Sequence, residues 1–162
     1  MELAAKLAGF LTAHAVWCVS DGGPLIPLMG FKTPDGKRQM HRFMTDRIEQ
    51  GVREGQDRLS RNLEGATRAA LIYDGFVTLP MGKVDALLVD IRDHSLPSCS
   101  LLMAVPYRPA SSPQGFAVHR PKFLSFAGPE PDYQALGAAF FQGVDSHDKA
   151  APVWSRHLDE SL

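Results

Sequence analysis

The stretch LIYDGFVTLPMGKVDALLVDIRDH, residues 71–94, limits what this chain can fold into more than any other. Its apolar runs have the length of β-strands. They are broken at Asp74-Gly75 and at Pro80-Met81-Gly82-Lys83, residue types that bend a chain. Strands joined by such short turns pair antiparallel, because a parallel neighbour needs a crossover of about a dozen residues. The pattern predicts strands at Arg68–Tyr73, Phe76–Leu79, Lys83–Arg92, Cys99–Tyr107 and Gly115–Phe126. Asp74 is assigned to a turn. Pro121 marks a bulge or an edge in the last strand, since it has no N–H to donate to a ladder.

Helical periodicity flanks this β region. Leu3, Leu7, Phe10, Leu11 and His14 form one stripe. Ala15–Ser20 then reads as a short buried strand, and Leu25–Phe31 as a second one that Pro27 delays or places at an edge. Thr33–Lys37 is a surface turn. A helix is expected from Thr45 as N-cap, with Met44, Ile48, Val52, Leu59 and Leu63 as its apolar stripe. Gly51 and Gly55 fall four apart within it, either at exposed positions or where another backbone comes close. A last helix follows the breaker Gly128–Asp132 and carries Tyr133, Leu136, Phe140 and Val144. The expected fold is a single α+β domain over residues 1–162, built on a mainly antiparallel sheet of five to seven strands. Its helices pack on one face, in the order α-β-β-α-β-β-β-β-β-α. Residues 146–162 are expected as a peripheral C-terminal tail.

At 162 residues, folding buries roughly 70% of the extended chain's surface, so neither disulfides nor metals are needed for a core. A hydrophobic fraction of 44% and a charged fraction of 22% are those of a globular domain. The net charge of −1 gives no overall attraction to nucleic acid or anionic lipid. Between Lys32 and Arg68 nine basic residues face six acidic ones, but the acids are interleaved, the pattern of a solvated, ion-paired face. The N-terminal segment lacks the leading positive charge of a secretory signal: Glu2 comes first, and Lys6 and His14 interrupt the apolar run. No run reaches the ~18 apolar residues of a membrane span. Cys18 and Cys99 lie in apolar runs and read as free buried thiols. The expectation is a cytoplasmic protein with no nucleic-acid and no membrane partner.

The chemistry-bearing motifs are few. No HxH, HxxxH or HExxH pairs the six histidines, so no metal site and no cofactor is expected. GxSxG, GxGxxG and GxxxxGK[ST] are absent, and no catalytic residue is assigned. The acid and acid-x-Lys arrangement of PD-(D/E)xK nucleases is not met by Asp85 and Asp90-Ile91-Arg92. Strand alternation puts the two acids on opposite faces, and arginine cannot act as a proton acceptor. Alternation does place Asp90 and Arg92 on one face, about 6.6 Å apart along the strand, with His94 next in line. These three, with Tyr73 and His119, are the expected ligand-binding residues. The expected function is a non-enzymatic ligand- or protein-binding module acting as a homodimer. The alternative is a small enzyme with a non-local polar site around Asp90, Arg92 and His94.

Overall fold

The computed structural model describes residues 1–95 and 97–162. Its elements are α1 (Glu2–Val19), β1 (Leu28–Lys32), β2 (Arg38–Arg42), α2 (Ile48–Arg61), β3 (Arg68–Leu79), β4 (Gly82–Asp93), β5 (Cys99–Arg108), β6 (Ala117–Val118), β7 (Lys122–Ala127), α3 (Tyr133–Asp145) and α4 (Ala151–His157). The seven strands form one antiparallel sheet in the order β2-β1-β3-β4-β5, with β6 and β7 sharing the far side of β5. The α+β class and the order of elements are those expected from the sequence, with α4 added at the C-terminal end.

The central hairpin is longer than its turn residues suggest. β3 and β4 pair continuously from Arg68↔Asp93 to Leu79↔Gly82, so Asp74-Gly75 lies inside a strand. Gly75 serves a packing purpose there: a Cβ at that position would sit 3.0 Å from Leu88 Cδ1, which crosses over it. The actual bend is Pro80-Met81, closed by Gly82 at φ 121°, a conformation that side chains resist. Ala15–Ser20 is also corrected, because α1 runs unbroken to Val19. Ala13, Ala15, Val16 and Val19 are all buried, so this part of the helix loses the alternation that separates helix from strand. Pro27 delays β1 to Leu28, yet β1 is an interior strand between β2 and β3. The segment Gly115–Phe126 divides into β6 and β7 around His119-Arg120-Pro121, and β7 carries a register shift opposite Leu102/Met103.

The sheet is covered on both faces. On one, Leu28, Ile72, Leu87, Val89, Ile91 and Met103 pack against α1, α3 and α4. On the other, Met29, Phe31, Phe43 and Leu71 pack under Leu59 of α2. The expected one-sided arrangement therefore holds for three helices and is corrected for α2. That segment follows β2 at the sheet edge and crosses to the side where Phe43 and Leu71 are left uncovered. Each fully buried Leu, Ile or Phe in these layers contributes about 1.5–3 kcal/mol.

α1 and α3 are in unusually close contact. A Cβ on Gly9 would overlap the Phe140 carbonyl, and one on Gly143 would overlap the Lys6 carbonyl and lie 2.9 Å from Phe10 N. At the end of this joint, Arg42 Nη2 donates to His14 Nε2 at 2.9 Å, and His14 Nδ1 lies 3.2 Å from His147 Nε2. An arginine has no acceptor, so His14 Nε2 accepts and its Nδ1–H donates to His147. Trp154 of α4 is buried against Phe140 and Phe141, which ties residues after 146 to the core.

Two caps fix the other helix ends. The Asp132 carboxylate accepts from Ala135 N at 2.9 Å at the start of α3. Asn62 ends α2 at φ 47°, its side chain accepting from Ala66 N and donating to Ala66 O. Arg47, rather than Thr45, holds the N-cap position of α2, and the Thr45 hydroxyl donates to Arg47 O instead. Among the described residues, no helix is long and apolar enough to cross a membrane.

Candidate functional site

The polar end of β4 comes to lie beside α2. Antiparallel register sets Arg92 beside Ala69 and Ser100, and Asp90 beside Leu71 and Leu102. Strand alternation sends all of these to the α2 side of the sheet. α2 covers Leu71 and leaves the tips of β4 and β5 open. The result is a cleft of about 340 Å³ whose lining includes Ser60 of α2, Arg92, Asp93, His94, Ser98 and Ser100.

The groups in the cleft are held in place. Arg92 Nη2 donates to Asp90 Oδ2 at 3.1 Å. His94 N donates to Thr67 O at 2.9 Å, which fixes the residue where it leaves the ladder. Asp93, on the opposite face, bonds the Met1 ammonium at 2.7 Å and accepts from Ser95 N. Burial pushes its carboxyl up, but these hydrogen bonds outweigh burial and leave it below its ordinary value. Burial also lowers His94, reinforced by the Arg92 charge and opposed by Asp93, which favours the neutral imidazole. Asp90 is raised by burial against the pull of Arg92.

Arg92 Nε and His94 Nε2 are both buried and have no hydrogen-bond partner among the described residues. A buried polar group left unpaired costs about 1–3 kcal/mol, and the two residues that carry these atoms both line the cleft. Arg92 offers a donor of fixed geometry. Neutral His94 offers a donor or an acceptor according to its tautomer.

Of the five residues expected from the sequence, Asp90, Arg92 and His94 come together at this cleft. Tyr73 lies on the same face two residues up β3. Its hydroxyl accepts from Gln56 Nε2 at 3.3 Å, and burial, with the Asp90 charge in support, pushes the pKa of the phenol above its ordinary value. His119 is elsewhere. It follows Val118, which pairs with Tyr107, and Tyr107 lies about 23 Å along β5 from Ser100. Its Nδ1–H donates to Asp159 O at 2.8 Å, so it ties the C-terminal segment to β6.

Ser98, Ser100 and Ser60 were missed by sequence reasoning. Ser100 was recoverable from the expected hairpin, because pairing Asp93 with Cys99 places it beside Arg92. Ser60 was not, since it depends on which way α2 crosses the sheet. Asp74, assigned to a turn, instead accepts a hydrogen bond from the Tyr107 hydroxyl at 2.9 Å on the far face. Among the described residues, no three His, Cys, Asp or Glu side chains are placed to hold a metal ion. No family model, curated protein or solved structure gives a significant match to the chain.

Proposed function

We propose that the protein is a binding module for a small polar ligand bearing a carboxylate, amide or similar acceptor, seated in the cleft at the ends of β4 and β5. The observation that carries this reading is that two residues lining the cleft, Arg92 and His94, hold buried atoms, Nε and Nε2, with no hydrogen-bond partner among the described residues. An enzymatic reading has less support: the Asp90 carboxylate is engaged by Arg92 and does not orient His94, and the Cys99 thiol donates to Pro97 O at 3.4 Å. Titration with small carboxylates and amides, followed by NMR, tests the proposal. Shifts are expected at Arg92, His94 and Ser100. Replacing His94 with Phe keeps an aromatic ring, removes Nε2 and is expected to weaken binding about tenfold or more. Shifts scattered over the surface, or unchanged in H94F, would refute it.

Self-association belongs to the same reading. β7 is an open edge on which Phe123 and Leu124 are exposed, and an unpaired apolar edge invites a second strand. Sedimentation at micromolar concentration is expected to show a dimer that Leu124→Lys dissociates; a monomeric parent protein would end the idea. A cytoplasmic setting fits the two free thiols, Cys18 and Cys99.

A further inference from the structure

The opposite face of the sheet carries an arrangement that register makes costly. β2, β1 and β3 place Arg38, Lys32 and Arg68 directly beside one another in one cross-strand row. Facing Cβ atoms in such a row are about 4.5–5.5 Å apart, and like charges there repel. Lys6 of α1 adds a fourth cation above the row. Together with Leu3, Leu7, Phe10 and Ser146 these residues enclose a groove of about 230 Å³, and among the described residues no acid lines it.

None of the four cations makes an ion pair among the described residues, whereas nine such pairs form elsewhere in the molecule. Asp93 would extend the row through its pairing with Arg68, but its carboxylate is taken by the Met1 ammonium and Ser95 N. Arg68 Nε is buried without a partner among the described residues. The C-terminal end of α3 reaches the rim at Ser146, and its dipole supplies only about half a negative charge against four positive ones.

The backbone under the row is rigid: Thr67 donates to Lys32 O from both its N–H, at 2.8 Å, and its hydroxyl, at 3.0 Å. The Arg38 guanidinium lies 5.0 Å from the Phe10 ring centre, which holds that charge beside the groove.

We propose that this groove binds the phosphoryl group of a small soluble phosphomonoester, with the ester carbons against Leu3, Leu7 and Phe10. Arginine forks suit phosphate oxygens in bidentate fashion and the lysines act as point charges. A carboxylate carries one negative charge, too little for four unpaired cations. A dianionic phosphate matches them better and accepts more hydrogen bonds. The groove is smaller than pockets that hold drug-sized ligands, which limits the organic part to a few carbons. The site lies across the sheet from the Arg92 cleft and does not depend on it.

Calorimetry and thermal melting at low salt, with inorganic phosphate and phenyl phosphate as probes, test this. Both probes are expected to bind saturably at about 1 mM or below, phenyl phosphate more tightly, and to raise the melting temperature with concentration. Lys32→Gln is expected to weaken phosphate binding about tenfold or more. Because it removes a like-charge neighbour, K32Q without phosphate should be no less stable than the parent. Arg38→Gln, at an exposed position, should weaken binding likewise and provides the test if K32Q does not fold. Arg53→Gln on α2 removes a charge from the other side and should leave the response intact. The proposal fails if the parent shows no saturable response, or if K32Q and R38Q bind phosphate as it does. Binding only to vesicles containing phosphatidic acid, without response to either soluble probe, overturns the assignment to a soluble ligand.

Discussion

Replacing Gly143 with alanine is a sharp test of the α1–α3 joint, because Gly137 on the same helix provides an internal control. At Gly143 the added methyl would overlap the Lys6 carbonyl and lie 2.9 Å from Phe10 N. Backbone atoms within a helix cannot rotate aside, so α1 and α3 must separate by about 1 Å. A gap of that size forfeits about a quarter to a half of each dispersion contact, and overpacking of this kind costs about 3 kcal/mol at the upper end of its usual range. Better helix propensity returns about 1 kcal/mol, leaving a net loss of about 2 kcal/mol. For a domain of this size that is a fall in melting temperature of about 4–8 °C. A Cβ at Gly137 meets nothing within 4 Å. Gly137→Ala is therefore expected to stabilise the protein by about 0.5–1 kcal/mol. Urea unfolding with an unchanged slope for both variants gives the comparison. A G143A protein as stable as the parent, or a G137A protein as destabilised as G143A, would refute the reasoning.

Three further outcomes follow from titratable groups and from the second glycine contact. Burial, then the Arg42 charge, then His147 lower His14 below its ordinary 6.5. The folded state thus takes up protons less readily than the unfolded chain. Stability should be complete above about pH 6.5 and fall as pH drops through the unfolded value toward the lowered one, and His14→Gln should flatten that slope in pH-dependent melting. Tyr107→Phe removes the hydroxyl that donates to Asp74, whose carboxyl is already raised by burial. Carboxylate NMR should show Asp74 rising further, with about 1 kcal/mol of stability lost. Gly55→Ala on α2 would press on Leu71 Cδ1 at 2.7 Å and Phe43 Cε2 at 3.0 Å, and is expected to cost about 1–2 kcal/mol in chemical denaturation.

The parts of the fold that were legible are those whose signal is local. The β3–β4–β5 meander showed in period-2 patterning and turn residues, and α3 in its periodic apolar stripe. Asp74-Gly75 misled because a twelve-rung ladder overrode its turn preference. β2 was missed altogether: its sequence RQMHR is largely exposed, and only pairing with β1 makes it a strand. In α2 the expected stripe is not what packs. Met44, Ile48 and Leu63 are exposed, while Gly51, Gly55 and Leu59 are buried, because Phe43 and Leu71 fill the space against the glycines. Alternation was enough to bring Asp90 and Arg92 to one face. The serines opposite them depend on tertiary crossing, and the cation row required strand order as well as strand pattern.

The glycine seat of α2 has a consequence for motion. A helix fastened by two glycines and one leucine gives up little apolar area when it lifts, so its amide protons exchange with solvent through local opening well below the free energy of global unfolding. The amides of Ala69–Ile72 and Leu87–Ile91, in the part of the hairpin paired on both sides, are expected to exchange only when the whole sheet comes apart. Ser60 and Gln56 travel with α2, so the cleft beside Arg92 widens whenever the helix lifts, without disturbing the ladder that positions Arg92.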